Sequence, residues 1–271
     1  MRVNGRQTDW ISAVDRGFQY GDGLFETIAV RQGRPCLWER HMERLNRGCI
    51  RLGIPAPDPG RLFAEAMAEI AQQDRCVLKI IITRGPGGRG YRPPVQARPN
   101  RVLHSSPWPD YPETLRETGV TIRVCATPLG SNPALAQIKH LNRLEQVMAR
   151  SEWEDPAVAE GLMLDPAGRV VEGTMTNLFV VTEGRLSTPD LSRCGTAGVM
   201  RSLIMEIGSS LGMPVEERDI PLAELWSADA LFLSNSLIGI WPVKEVDGRE
   251  FRPDAVPSPL IDAVMARGFS A

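Results

Sequence analysis

The chain has 271 residues, of which 42% are hydrophobic and 24% are charged, as is ordinary for a globular protein. This length is enough for two modest domains or one large one. The net charge of −2 argues against a protein dedicated to nucleic acids or membrane surfaces, despite its many arginines. No apolar run approaches the roughly 20 residues of a membrane span, so we expect no membrane-spanning segment.

The cysteines and histidines predict neither a disulfide framework nor a structural metal. The five cysteines are scattered and form no Cys-x-x-Cys pair, and the three histidines lie far apart. The first residues also lack the apolar stretch of a signal peptide. These features are typical of a reduced, cytoplasmic protein without a metal site.

The first half of the chain is predicted to mix strands with helices. Val3–Arg6 has the composition of a two-residue hairpin turn. Asp15–Gly23 is expected to be a glycine-rich loop whose backbone can approach a ligand, although an ordinary turn explains its composition as well. The remaining elements predicted for this half are strands at 24–31, 34–37, 76–83 and 101–106 and helices at 38–52 and 59–73.

A second glycine-rich stretch, Arg84–Tyr91, follows the apolar strand 76–83. It contains four glycines, two arginines and a tyrosine, which favours a loop that closes on an anion. It matches neither of the two common nucleotide-phosphate motifs. The alternative is a flexible, solvated loop without a ligand.

The second half alternates strands and helices more tightly. Predicted strands lie at 119–126, 161–164, 169–172, 177–182, 185–187, 214–219 and 230–234 and in a segment ending at 246, with helices at 199–211 and 257–267. Cys194–Gly198 opens the first of these helices with two glycines. Bare N–H groups at such a helix start suit a phosphate, although loop flexibility alone also explains the glycines.

Lys139 is a candidate catalytic residue because lysine is rare in this chain. Among 31 basic residues only Lys79, Lys139 and Lys244 are lysines, and the others are arginines. Lysine can lose its proton or form a Schiff base, which arginine cannot do near neutral pH. Lys139 follows an uncharged segment, and apolar residues at 141, 144, 147 and 148 predict a helix that begins beside it and lowers its pKa. A solvated lysine, in a chain shaped by GC-rich coding bias, is the alternative.

We therefore predict a mixed α/β (α+β) chain of two domains. The expected boundaries are an N-terminal domain at 1–107, a linker at 108–115 and a C-terminal domain at 116–271 that carries Lys139.

The segment Leu129–Val147, LGSNPALAQIKHLNRLEQV, resembles the aminodeoxychorismate lyase branch of the fold-type IV pyridoxal-phosphate family. The family also contains D-amino-acid and branched-chain aminotransferases. Asp15-Arg16, the segment 20–25, His41-x-x-Arg44-Leu45, and Glu172 followed by Asn177 are similar to marks of the wider family. The Arg84–Tyr91 loop is similar to the lyase branch and is more specific.

The resemblance implies a role for each matching residue and a two-domain, D-amino-acid-aminotransferase-like fold. Lys139 resembles the Schiff-base lysine, and Glu172 matches the carboxylate that pairs with the pyridine nitrogen of the cofactor. Without the resemblance, Glu172 reads as an exposed acid at a strand end. The other cofactor positions implied are Arg44, Asn177, Val199, Met200 and Ser236. The substrate positions implied are Phe25, Thr27, Arg89 and Tyr91, with Thr27 also catalytic.

The activity implied is the conversion of 4-amino-4-deoxychorismate to 4-aminobenzoate and pyruvate, a step toward folate, by a carbon–oxygen lyase using pyridoxal 5'-phosphate. A homodimer with its site near the domain junction is also expected. A D-amino-acid or branched-chain aminotransferase is the rival within the fold, and a non-catalytic arginine-rich binding module is the rival of another class.

Overall fold

The computed structural model describes residues 1–269 and divides them into two units. The first unit contains Met1–Pro109, the short segment Ile138–Asn142 and Phe269. The second contains Asp110–Gln137 and Arg143–Gly268. The expected C-terminal domain included Lys139, whereas the structure groups the segment around Lys139 with the N-terminal residues.

The first unit is a six-stranded sheet with helices packed against it. Its strands, in the order β2-β1-β6-β5-β3-β4, are β1 (Arg2–Val3), β2 (Arg6–Gln7), β3 (Gly23–Arg31), β4 (Arg34–Pro35), β5 (Cys76–Thr83) and β6 (Asn100–Ser106). Its helices are α1 (Arg16–Tyr20), α2 (Trp38–Leu52) and α3 (Pro59–Glu69). All pairings in this sheet are antiparallel.

Alternation along β3 gives the sheet of the first unit two different faces. Leu24, Glu26 and Ile28 are buried, and α2 packs against β3 so closely that a Cβ at Gly48 would overlap the Leu24 side chain. Phe25 and Thr27 are only half-buried and point to the opposite face, because successive strand residues alternate sides. The face opposite α2 therefore carries the candidate substrate residues of this strand.

The second unit is built on a nine-stranded mixed sheet. Eight strands follow the order β12-β11-β10-β13-β14-β7-β8-β9, and a short β15 pairs with β14. The strands are β7 (Val120–Val124), β8 (Val158–Leu164), β9 (Val170–Gly173), β10 (Asn177–Thr182), β11 (Arg185–Pro189), β12 (Val215–Arg218), β13 (Ala230–Asn235), β14 (Gly239–Val246) and β15 (Arg249–Glu250). The helices are α4 (Leu115–Thr118), α5 (Leu144–Arg150), α6 (Val199–Ser210), α7 (Leu222–Leu225) and α8 (Ser258–Gly268), with a 3₁₀ turn at Pro253–Ala255.

The core of the second unit is built mostly of apolar side chains from its strands. Phe179 of β10 and Phe232 of β13 are directly opposite each other and stack with ring centroids 4.7 Å apart. A second cluster packs Trp153 against Cys125 and Met163. Burial of apolar groups at about 25 cal/mol per Å² is the main stabilising term in such a core.

The predicted mixed α/β class and most predicted elements are confirmed. The helix at 38–52 and the strand at 76–83 have the expected bounds, and most others differ by a few residues at their ends. The Asp15–Gly23 segment is not purely a loop, since it contains α1, which Asp15 caps by accepting from the Gly17 and Phe18 N–H groups. Within residues 1–269 no helix is long and apolar enough to cross a membrane.

The helix expected directly after Lys139 is the largest error. α5 begins only at Leu144, five positions later, so its positive dipole end does not act on Lys139 as expected. Its apolar residues are also not inward. Leu144, Val147 and Met148 are 76%, 58% and 61% exposed, and the residues that α5 buries are Gln146 and Ala149.

Candidate active site

The eleven residues expected at the site are shared between the two units. Phe25, Thr27, Arg44, Arg89, Tyr91 and Lys139 belong to the first unit. Glu172, Asn177, Val199, Met200 and Ser236 belong to the second.

Lys139 lies on an extended segment that pairs with the free edge of β3. The Phe25 N–H donates to the Lys139 carbonyl at 2.9 Å, and the Leu141 N–H donates to the Gly23 carbonyl at 3.0 Å. This antiparallel pairing sets Lys139 opposite Phe25, so both side chains point to the same face. The Lys139 Nζ lies 4.5 Å from the centroid of the Phe25 ring.

Thr27 and Lys79 extend the same face across the sheet. They are directly opposite each other on β3 and β5, and the Lys79 Nζ lies 5.2 Å from the Phe25 centroid. Two of the three lysines of the chain therefore flank one aromatic ring, beside the hydroxyl-bearing Thr27. This arrangement offers a nucleophilic amine, a second cation and a hydroxyl group on one surface.

Arg44 is buried on the opposite face of β3, in a cluster with Glu26 and His41. Its Nε donates to Glu26 Oε1 at 2.9 Å, and its Nη2 donates to Glu26 Oε2. A charged side chain on a helix is usually solvated, but only 5% of Arg44 is exposed. The sequence does contain a signal for this cluster, because Arg44 and His41 are three residues apart and therefore lie on one face of α2.

The electrostatics of this cluster keep Glu26 ionised and His41 neutral. Burial acts to raise the pKa of Glu26, but the Arg44 charge and the His41 hydrogen bond outweigh it and lower that pKa to about 2. Burial lowers the pKa of His41, whose Nδ1 lies 2.6 Å from Glu26 Oε2. Since an ionised carboxylate only accepts, Nδ1 carries the proton and donates.

The Arg84–Tyr91 loop, expected to meet an anion, is anchored by a second arginine cluster. Buried Arg16 donates to the carbonyls of Gly90 and Tyr91, at 2.9 Å each, and its Nε donates to Asp22 at 2.8 Å. Arg84 also donates to Asp22, at 2.7 Å. Burial tends to raise the pKa of Asp22, but hydrogen bonds from Arg84 and Arg16 lower it.

Arg89 and Tyr91 project from this anchored loop. Arg89 is exposed, and Tyr91 is 84% exposed while its ring packs edge-on against Tyr20, with centroids 5.5 Å apart. Arg16 and Asp22 were not predicted as holders of this loop. Only the Asp15-Arg16 family mark was visible in the sequence, because the contacts of Arg16 and Asp22 with the loop join positions 62 to 75 residues apart.

In the second unit, Glu172 and Asn177 bind the backbone of one residue, Thr196, from its two sides. Glu172 Oε2 accepts from the Thr196 N–H at 2.8 Å, and Asn177 Nδ2 donates to the Thr196 carbonyl at 2.9 Å. Glu172 is only 4% exposed, so its reading as an exposed strand-end acid is wrong. The segment before α6 is thereby fixed at both its N–H and its C=O.

The start of α6 presents backbone donors, as the glycines of Cys194–Gly198 indicated. Gly198 caps the helix without any side-chain hydrogen bond, and the first helical bond runs from the Ser202 N–H to the Gly198 carbonyl. The N–H groups of Val199 and Met200 therefore have no partner within the helix. A Cβ at Gly198 would overlap Asn177 Oδ1, so glycine is required for this close approach.

Ser236 lies in the turn between β13 and β14. Asn235 Oδ1 accepts from the N–H groups of Leu237 and Ile238, at 2.8 and 3.0 Å, which shapes that turn. Metal ligands are not grouped anywhere in residues 1–269, in the sense that no three His, Cys, Asp or Glu side chains are placed to hold an ion.

Comparison with known proteins shows the family. Residues 23–246 match the model of amino-transferase class IV. The chain belongs to the class IV aminotransferase family. Its mixed α/β architecture is the fold-type IV architecture, and like other class IV proteins it is an enzyme that depends on pyridoxal phosphate.

Of three similar proteins, two are named as lyases and one as an aminotransferase. The crystal structure of 4-amino-4-deoxychorismate lyase from Pseudomonas aeruginosa is 49% identical, with a TM-score of 0.94 and 98% of each chain covered. The aminodeoxychorismate lyase of Vibrio harveyi is 38% identical over 93% of each chain. A putative branched-chain-amino-acid aminotransferase of Methanocaldococcus jannaschii is 32% identical, covering 91% of this chain and 88% of the relative.

The side chains and backbone of this class IV chain fit the cofactor. The uncapped start of α6 suits a phosphate, since its N–H groups and dipole both favour an anion. The buried Glu172 carboxylate suits a protonated pyridine nitrogen. Half-buried Lys139 supplies an amine that is not enclosed in the core.

Proposed function

We propose that this class IV enzyme is an aminodeoxychorismate lyase, which converts 4-amino-4-deoxychorismate to 4-aminobenzoate and pyruvate in folate biosynthesis. The observation that carries the proposal is 49% identity to the Pseudomonas aeruginosa lyase over 98% of both chains. The aminotransferase relative above reaches 32%. The reaction needs no second substrate, since the atoms of the two products add up to those of the one reactant.

Bound pyridoxal phosphate supplies an aldehyde that condenses with amines and a ring that accepts electrons from the neighbouring carbon. Lys139 Nζ holds the cofactor and, once released, takes the proton from the substrate carbon that bears the nitrogen. Glu172 keeps the proton on the pyridine nitrogen. The carbon–oxygen bond to the enolpyruvyl group would then break with its electron pair going to the oxygen, and the ring becomes aromatic. The released enolpyruvate takes up one proton, which balances the proton taken by Lys139, and becomes pyruvate.

The remaining proposed residues bind and orient. The N–H groups of Val199 and Met200, with Ser236 and Arg44, take the cofactor phosphate, and Asn177 supports the loop before α6. Arg89, Tyr91, Phe25 and Thr27 are assigned to the substrate. Arg89 presents a planar fork suited to one of the two substrate carboxylates, and Thr27 presents a hydroxyl beside the Lys139 face.

The proposal extends to a cytoplasmic homodimer. All five cysteines are free and buried, as suits a reducing compartment. Leu144, Val147 and Met148 form an exposed apolar face on α5, which we call the α5 face. Contiguous exposed apolar residues mark interaction surfaces, and a second copy of the chain is the partner that we assign to it.

The test offers the purified holoenzyme 4-amino-4-deoxychorismate and measures both pyruvate and 4-aminobenzoate. We expect equimolar products, and none from Lys139→Ala. Parallel reactions offer D-alanine or leucine together with 2-oxoglutarate. Turnover of those pairs without release of 4-aminobenzoate would contradict the lyase and favour the aminotransferase rival.

A further inference from the structure

A three-residue turn, Thr174–Thr176, joins the two strands that carry Glu172 and Asn177. Glu172 lies near the end of β9, and Asn177 is the first residue of β10. The turn is tight, because the Gly173 N–H donates to the Thr176 carbonyl at 2.7 Å. The relative position of Glu172 and Asn177 therefore depends on the shape of this turn.

The turn is wrapped around the carboxylate of Glu160, which lies on β8 and is 0% exposed. Oε1 accepts from the Thr174 N–H at 3.1 Å and from the Thr174 hydroxyl, and also from the Gly161 N–H at 2.9 Å. Oε2 accepts from the Met175 N–H and the Thr176 hydroxyl, both at 3.0 Å. A single side chain thus binds every residue of the turn.

All five donors to Glu160 are neutral, and among residues 1–269 no cation forms an ion pair with it. Burying a carboxylate without a counter-charge costs several kcal/mol, and apolar replacements of buried charges are often neutral or stabilising. Stability alone therefore does not explain why a glutamate is buried at position 160. What the arrangement supplies is one defined geometry for a turn whose own side chains are short.

We infer that Glu160 is a positioning residue for the cofactor site: through the Thr174–Thr176 turn it sets Glu172 and Asn177 against Thr196. The path continues by contact, since Asn177 packs on Gly198 at the start of α6. Glu160 needs no contact with the cofactor for this role. The inference rests on the cofactor roles proposed for Glu172 and Asn177.

The experiment measures cofactor retention in Glu160→Gln. Glutamine keeps the shape, but its NH₂ group faces N–H and O–H donors that then lack an acceptor. We expect pyridoxal phosphate to leave the purified holoenzyme at least ten times faster on dialysis. The Kd measured on re-adding the cofactor should rise by a similar factor, about 1.4 kcal/mol per tenfold.

Asp165→Asn is the matched control. Asp165 is a buried carboxylate that holds the turn at the other end of β8 and β9, accepting from the Ala167 and Arg169 N–H groups at 3.0 Å each. The Asp165→Asn variant should have a lower Tm than the parent enzyme, while its Kd for pyridoxal phosphate stays within twofold. The inference is overturned if Glu160→Gln also stays within twofold, or if both variants lose cofactor in proportion to their loss of Tm.

Thr176→Val provides a milder change if Glu160→Gln does not fold. It removes one hydroxyl donor to Oε2 and keeps the side-chain shape, and we expect about a threefold rise in Kd; an unchanged Kd here overturns the inference. Glu172→Ala separates this inference from the proposed roles. If its cofactor binds as in the parent enzyme while Glu160→Gln loses cofactor, the role proposed for Glu172 fails, and the action of Glu160 passes through Asn177.

Discussion

At the scale of single residues, neighbours on β3 serve opposite faces of the sheet. Phe25 carries the Lys139 amine above its ring, while Glu26, the next residue, is sealed against α2 with Arg44 and His41. The strand period of two puts the Phe25 ring and the Glu26 carboxylate on opposite sides of the sheet. The two sides still act on each other, because burial first, and then the charges of Arg44 and Lys139, lower the pKa of His41.

Lys139 should carry the cofactor covalently. Borohydride reduction of the holoenzyme followed by digestion should place the pyridoxyl label on the peptide containing Lys139. The other two lysines provide internal controls, and Lys79 is the stringent one because it lies beside the same Phe25 ring. A label on Lys79 or Lys244 would show that the amine has been misassigned.

Arg89→Ala should weaken catalysis without loss of cofactor. A missing charge-assisted hydrogen bond to a substrate carboxylate costs about 1.5–3 kcal/mol, or roughly ten- to a hundredfold in kcat/KM. Arg89→Lys should recover only part, because lysine lacks the two-pronged contact. Cofactor absorbance and steady-state kinetics check this, and Arg44→Ala is the comparison. Cofactor loss in Arg89→Ala with retention in Arg44→Ala would reverse the two assignments.

Glu26 should make the protein sensitive to acid. Its folded-state pKa of about 2 is below its ordinary 4.5, so its contribution to stability is complete above pH 4.5 and is lost as the pH falls toward 2. Glu26→Gln should reduce the free energy of unfolding at pH 7 by on the order of 3 kcal/mol. Urea unfolding at pH 7 and pH 3 should show a smaller gap between variant and parent at pH 3. An equal gap at both pH values would contradict the ionised pair.

At the scale of elements, the Arg84–Tyr91 loop is held by a short helix far away in sequence. Arg16 on α1 binds two successive carbonyls of the loop, and a Cβ at Gly87 would lie 2.6 Å from its Cδ. Gly87 therefore lets the loop backbone close against the Arg16 side chain. A flexible, solvated loop would leave its carbonyl groups to water, whereas two carbonyls of this loop accept hydrogen bonds from Arg16.

Arg16→Lys should loosen this loop while keeping the charge next to Asp22. Lysine cannot reach both carbonyls, so trypsin should cut after Arg89 severalfold faster, and KM should rise more than kcat falls. Arg101→Lys is the control, because Arg101 makes a similar two-point contact with Glu65 at 2.9 and 2.7 Å and does not bond to the loop. Equal cutting rates in both variants would assign the effect to general destabilisation.

At the scale of the whole molecule, each unit buries its own apolar core, yet the α5 face stays exposed. A helix with Leu144, Val147 and Met148 outward is unusual for a monomer, since such a stripe normally faces a core. The homodimer proposal explains this exposure. Because the proposed contact is the α5 face, the dimer can be tested by sedimentation without an activity measurement.

Val147→Glu should convert the dimer to a monomer. Glutamate favours the helix more than valine does, so α5 should remain folded while the apolar contact is lost. Ile50→Glu is the matched control, because Ile50 is 72% exposed on α2, outside the α5 face. Sedimentation velocity should show a monomer for Val147→Glu and a dimer for Ile50→Glu. A parent enzyme that sediments as an active monomer would end the homodimer proposal.

Local patterns in the sequence were enough for the elements and the family. A nearly continuous apolar run predicted the strand at 76–83, and helical periodicity predicted the helix at 38–52, because each pattern depends only on nearby residues. The scarcity of lysine pointed to Lys139, and the motifs around Lys139 indicated the family from the sequence alone. These signals can be recognised locally because the chemistry of a site requires particular residue types at particular spacings.

Only the tertiary structure decided which distant groups meet. The partners of Glu160 lie 14 to 16 positions away, apart from Gly161, and those of Arg16 in the loop lie more than 70 positions away, so no local window contains either contact. The start of α5 was misplaced because Lys139 and its neighbours pair with the edge of β3, and this long-range pairing overrides their helical pattern. The burial of Glu172, Arg44 and Glu26 likewise could not be predicted from the sequence, because a charged side chain is buried only where the fold supplies its partners.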